Sequence, residues 1–300
     1  MSSIDPARRR ATGVGSIAVL LWATLALGAA STGDIPPFQM TAITFLVAGT
    51  AGAIIARLLG RDLTPAFRQP RRAWALGLTG FFGYHVFYFM AFRLAPSAAV
   101  EVNLINYLWP LLIVLFSAVG PGRGLGRAQL IGAAAGLVGC ALIVTGRGGG
   151  MNFAVSDFPG YLSALACAVL WAVYSVGAGR FCAHVPTEAV IGQCFATSVL
   201  AAICHLLFET TSFPSAGQLL VAALMGFGPM GAAFYVWDYG VKKGDVQTLG
   251  ALCYAGPLLS TLLLIVTGAG QGGVHVWGAA AFIIGGAILA SKDLLRPKQT

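Results

Sequence analysis

Apolar residues dominate ten stretches, roughly 14–31, 38–59, 73–95, 98–119, 128–146, 160–182, 187–208, 216–242, 246–267 and 274–294, separated by short polar or glycine-rich breaks. A helix rising through a hydrocarbon core of roughly 30 Å needs about 20 apolar residues. Lipid also forces each spanning segment to satisfy its own backbone hydrogen bonds. The pattern therefore predicts an all-α integral membrane protein with ten transmembrane helices.

Landmarks recur between the two halves. Phe87-Tyr88 and Phe234-Tyr235 align at an offset of 234 − 87 = 147, which also carries Pro110 onto Pro257. Leu21-Trp22 matches Leu170-Trp171 (170 − 21 = 149), and Gly132-Ala-Ala-Ala matches Gly278-Ala-Ala-Ala (278 − 132 = 146). Matching Trp, Pro and Phe-Tyr landmarks in order marks an internal repeat. Five helices per half is odd, so the second half must enter the membrane from the opposite side. The expected organisation is a cytoplasmic segment 1–13, two inverted five-helix repeats at 14–147 and 160–294, and a cytoplasmic tail 295–300.

Composition agrees: 57% of residues are hydrophobic and only 9% charged, with a mean hydropathy of +0.81. A soluble domain carries roughly a quarter of its residues as charges. The net charge of +8 suits a nucleic-acid binder only if it gathers on one folded face, and here it lies in connectors. Alternating the ten spans puts sixteen of the eighteen Lys and Arg residues on one side, leaving Arg93 and Arg147 on the other. Cytoplasmic loops retain positive charge, so both termini are expected inside, in a plasma (inner) membrane. Arg8-Arg9-Arg10 before an apolar run resembles a secretory signal, but nine further spans favour an uncleaved first helix. The six cysteines lack metal-like spacing and read as packing residues. The run from Gly120 to Gly126 lacks the GK[ST] of a phosphate-binding loop.

Polar and aromatic residues inside apolar spans are the candidate chemistry. Tyr84 and Tyr88 are four apart and share a helix face beside His85. His85 lies 13 positions beyond Arg72, about 20 Å along the helix, where a ring nitrogen needs a neighbouring helix or a water-filled cavity. Asn103, Asn106 and Tyr107 share a face of the fourth span, with Trp109 as a flat wall and Pro110 permitting a bend; interhelical bonding by the Asn pair is the alternative. Trp22 and Trp171 fall midway along spans one and six, away from the interfacial belt usual for tryptophan. With Tyr174, Tyr235 and Tyr254 they suggest a roomy aromatic cavity; core packing is the competing reading. Glu101 is either a gate or coupling group or a water-exposed or Arg93-paired carboxylate. Asp238 is open to the same coupling role, but Lys242 at i+4 favours an ion pair. Pro257 repeats the bend of Pro110.

The paired mid-span prolines, the repeated GAAAxxxGxA and ten helices with both ends inside resemble the EamA branch of the drug/metabolite transporter superfamily over nearly the whole chain. Within it, Glu101-Val102 followed by Asn106-Tyr107-Leu108-Trp109-Pro110 is similar to the signature of the YddG-type aromatic amino acid exporters. The resemblance implies efflux of aromatic and related amino acids through a central cavity lined by helices one, three, four, six, eight and nine. His85 and Asp238 lie outside the matched motif.

The expected function is a secondary transporter that exports aromatic and related amino acids by alternating access, without cofactor, metal or catalytic residue. Its partners are a small-molecule solute and membrane lipid, not nucleic acid, and it is expected as a monomer with a dimer left open. The alternatives are an efflux carrier for other small solutes and an intramembrane enzyme; no HExxH, GxSxG or acidic pair supports the latter.

Overall fold

The computed structural model describes residues 5–30, 32, 35–119, 124–146, 153–268 and 274–295. Among them all regular structure is helical. Arg123, Arg147, Arg296 and Lys298, used above to orient the chain, lie outside the described residues. The long helices are α1 (Pro6–Ala23), α2 (Pro37–Leu58), α3 (Arg71–Leu94), α4 (Ala99–Ser117), α5 (Arg127–Gly146), α6 (Phe158–Phe181), α7 (Ala189–Phe208), α8 (Ala216–Lys243), α9 (Val246–Val266) and α10 (Val274–Leu295). Eight helices are long and apolar enough to cross a membrane by length and composition. α10 supplies a shorter apolar stretch, Val276–Ala290, and α1 opens on three arginines.

α1 begins earlier than its apolar run. Asp5 accepts from the backbone N–H of Ala7, and Pro6 occupies the first helical position, both start signals independent of hydropathy. The helix steps at Thr24 and continues as Leu25–Ala30.

Four further spans are interrupted, in matching places. α3 and α8 each contain a π-helical segment, Thr79–Gly83 and Gly228–Ala232, offset by 228 − 79 = 149. α4 breaks at Tyr107-Leu108 and α9 at Cys253-Tyr254, just before Pro110 and Pro257. Proline offers no N–H to the carbonyl four residues earlier, which loosens those turns.

The main pairings set α10 on α5, α7 on α2, α1 on α8 and α6 on α3. Exchanging each helix for its counterpart in the other half, α1 with α6 and so on, returns the same set. α5 and α10 pack antiparallel through glycines: a Cβ on Gly132 would lie 2.5 Å from the carbonyl oxygen of Gly286, and one on Gly286 equally close to that of Gly132. Seven residues further along α5 and seven back along α10, a Cβ on Gly139 would lie 2.8 Å from the carbonyl of Ala279. Small residues let membrane helices approach this closely.

Candidate functional site

The interrupted helices surround one cavity. Past the π segment of α3, Tyr84, His85 and Tyr88 turn inward. Past the π segment of α8, Phe234 does the same, and the broken α4 presents Asn103, Asn106, Tyr107 and Trp109. π-bulges often mark functional sites because the extra residue re-aims the side chains after it. The cavity measures about 670 Å³, within the range of small-molecule sites. It extends from the middle of the bundle to the end where α2 and α4 begin, past Pro37, Met40, Thr41, Ala99 and Val100.

Four tryptophans from four helices cluster at its deep end, three of them lining it and Trp237 buried behind them. Trp22 (α1), Trp109 (α4), Trp171 (α6) and Trp237 (α8) are all in mutual ring contact, with six centroid separations between 5.2 and 6.2 Å. Trp171 and Trp237 stack at 23°, and the Trp22–Trp109 pair stands edge to face at 87°. Each such aromatic contact contributes about 0.5–1.5 kcal/mol beyond burial. Phe45, Phe81 and Phe234 extend the aromatic wall, Phe81 and Phe234 meeting at 4.7 Å.

Beyond the tryptophans the bundle is stitched shut. Tyr174 donates to Asp238 Oδ1 at 3.4 Å, and Lys242 Nζ lies 2.8 Å from Asp238 Oδ2. α1 meets α8 at Gly15, where a Cβ would sit 2.8 Å from the Cα of Gly240. Arg8 pairs with Asp245 at 2.8 Å, and Thr12 Oγ accepts from the Asp245 N–H.

Trp22, Tyr84, His85, Tyr88, Asn103, Asn106, Tyr107, Trp109, Trp171 and Pro257 line the cavity. Other candidates lie elsewhere. Tyr174 is below the tryptophans, Tyr235 donates to the carbonyl of Ala48 on α2, and Tyr254 packs with Val114, Ala133 and Cys140. None of these three is among the residues lining the cavity; one residue along a helix turns a side chain by about 100°, which carries Tyr235 off the face of Phe234. Pro110 is buried in α4. Glu101 is only 4% exposed, which corrects the reading of a water-exposed carboxylate; Arg93 is exposed. Asp238 is 1% exposed and lies off the cavity, bound to Lys242. All six cysteines are free, and Cys167 donates to Asn106 Oδ1 at 3.2 Å.

Sequence reasoning missed Trp237, Phe234 and Phe45. The available signal was spacing: Phe234 and Trp237 stand at i, i+3, as Trp171 and Tyr174 do.

Comparison with known proteins agrees with this geometry. The profile of the EamA-like transporter family matches twice, at residues 11–145 and 158–292. The chain is 50% identical over 286 residues to a protein of Ancylobacter novellus named aromatic amino acid exporter YddG, covering 95% of this chain and 98% of that one. A protein of the same name from Escherichia coli K12 is 24% identical, covering 94% and 97%. A solved crystal structure superposes with a TM-score of 0.90 at 48% identity, covering 97% of this chain and all of that one. The twofold match falls on the two halves that carry the interrupted helices, and the chain is a multi-pass membrane protein belonging to the EamA-like transporter family.

Proposed function

We propose that this protein exports aromatic amino acids across the inner membrane as a secondary carrier, its ten helices forming two inverted five-helix repeats that rock about the central cavity. The observation that carries the reading is the tryptophan floor between helices of both halves, where Trp22, Trp109 and Trp171, backed by buried Trp237, present an aromatic surface matched to indole and phenyl side chains. The names of the Ancylobacter and Escherichia relatives support the same substrate class.

The exchange symmetry of the helix pairings and the antiparallel α5–α10 seam support inversion, the plan on which many secondary transporters are built. The arginines at 57, 61, 68, 71 and 72 cluster in and beside the α2–α3 connector, at the end away from the cavity mouth. By the positive-inside rule that end is cytoplasmic. The conformation is then outward-facing, with the contacts from Arg8 to Asp245 and from Gly15 to Gly240 as the closed inner side. No Asp or Glu lines the cavity among the described residues, which supports export driven by the solute gradient over a proton relay inside the site.

The test is purified protein in liposomes loaded with labelled tryptophan, challenged with each of the twenty amino acids. Competition led by tryptophan, phenylalanine and tyrosine is expected. Chemical conversion of the label, or equal competition by all twenty, would defeat the reading.

A further inference from the structure

We propose that His85 is the residue that recognises the α-ammonium group of the substrate, through a lone pair on Nε2 held open toward the cavity. The proposal rests on the reading that the cavity takes amino acids and assigns one end of that ligand.

A zwitterion needs acceptors for its ammonium and donors for its carboxylate. Among the described residues lining the cavity none is Asp, Glu, Lys or Arg, so neutral dipoles must serve both ends. Several already make bonds within the protein. Asn106 donates to the hydroxyl oxygen of Tyr84 at 3.2 Å and accepts from Cys167 at 3.2 Å. Thr41 and Thr44 donate to carbonyls of their own helix, which leaves only their hydroxyl oxygens to a ligand, and Tyr88, Tyr107 and Ser260 add further hydroxyls to the lining. Asn103 donates to the carbonyl of Ala99 at 2.8 Å, which leaves its amide oxygen.

His85 Nδ1 contacts the carbonyl oxygen of Phe81, one turn back in the π segment. A carbonyl only accepts, so Nδ1 carries the proton. The neutral ring then has its lone pair on Nε2, and among the described residues no carboxylate lines the cavity to hold an imidazolium. Nε2 lies across the ring from Nδ1, so a ring whose Nδ1 faces its own helix and whose body lines the cavity presents Nε2 to the ligand. Phe45 stands edge to face on the same ring at 5.3 Å and 87°, which fixes its plane. The Tyr84 hydroxyl, having accepted from Asn106, keeps its own proton to donate to the carboxylate. His85 and Tyr84, adjacent in sequence, thus offer opposite polarities to opposite ends of one ligand.

Three ligands separate the ends: tryptophan, tryptamine, which lacks the carboxylate, and indole-3-propionate, which lacks the ammonium. Binding of each is measured calorimetrically to wild-type, His85→Phe and His85→Gln protein in nanodiscs. His85→Phe keeps an aromatic ring beside Phe45 and removes the acceptor. It is expected to weaken tryptophan and tryptamine at least about tenfold, the usual cost of losing a hydrogen bond to a charged group, and to leave indole-3-propionate within about twofold. His85→Gln, whose amide oxygen still accepts, is expected to retain most of the affinity and provides the reading should His85→Phe not fold. Equal losses for all three ligands, or a loss confined to indole-3-propionate, would overturn the assignment. Wild-type protein that binds none of the three would instead overturn the substrate class on which it rests.

Discussion

Trp237 donates its indole N–H to the hydroxyl oxygen of Ser175 at 3.1 Å, joining α8 to α6 beneath the cavity floor. Trp237 is fully buried, so no water replaces that acceptor. Ser175→Ala strands the donor at a cost of about 1–3 kcal/mol, and a melting temperature lower by roughly a few degrees is expected in detergent. Ser175→Thr keeps the oxygen and is expected to melt close to wild type.

Trp109 and Trp171 each touch the three other tryptophans of the floor, and Trp171 also meets Tyr84 at 5.5 Å. Truncating either removes several aromatic contacts worth about 0.5–1.5 kcal/mol each. Trp109→Ala and Trp171→Ala are both expected to lower tryptophan uptake by roughly tenfold or more while membrane insertion is kept. Initial rates in liposomes, normalised to incorporated protein, check this; unchanged kinetics in both variants would move the binding place away from the cavity.

The spans were legible because apolar runs near 20 residues have few other uses, and the repeat because Trp, Pro and Phe-Tyr landmarks keep their order. What escaped was rotation about the helix axes. The hydroxyls of Tyr235 and Tyr254 suggest a polar cavity, yet the face each presents depends on the π segment of α8 and the break in α9, whose shifted hydrogen bonds hydropathy does not encode. Trp237 escaped for the same reason, its inward direction following from Phe234 one turn earlier. The start of α1 was set by Asp5 and Pro6, signals of capping outside the apolar run. Glu101 lies near the start of its helix, where sequence position suggests water, but the α3–α4 turn is packed, Val102 meeting Ala91, Ala95 and Ala98, and the Glu101 side chain is buried there.

Glu209 caps the start of α2 from the far side of the sequence. Its two carboxylate oxygens accept from the backbone N–H groups of Phe38 at 2.9 Å and Gln39 at 3.1 Å, and His205 Nδ1 lies 2.9 Å from the same group. The turn it fixes carries Pro37, Met40 and Thr41 at the cavity mouth. Glu209→Ala removes a cap worth about 1–2 kcal/mol, and a KM for tryptophan raised by a few-fold with little change in maximal rate is expected. A fall in maximal rate with KM unchanged would place the effect in the rocking motion instead.

The Asp238–Lys242 pair is 2.8 Å long with both side chains almost wholly buried. Removing one member of such a pair leaves the other charge in a medium that cannot solvate it, at about 3–5 kcal/mol. Lys242→Met strands the carboxylate, and a loss of that order is expected in thermal unfolding. Asp238→Asn with Lys242→Met removes both charges and leaves an amide oxygen to accept from Tyr174. The double variant is therefore expected to be more stable than Lys242→Met alone, which a double-mutant cycle reads as a coupling energy. If the two substitutions add independently, the residues do not stabilise one another and the closed inner side is held by the contacts of α1 on α8.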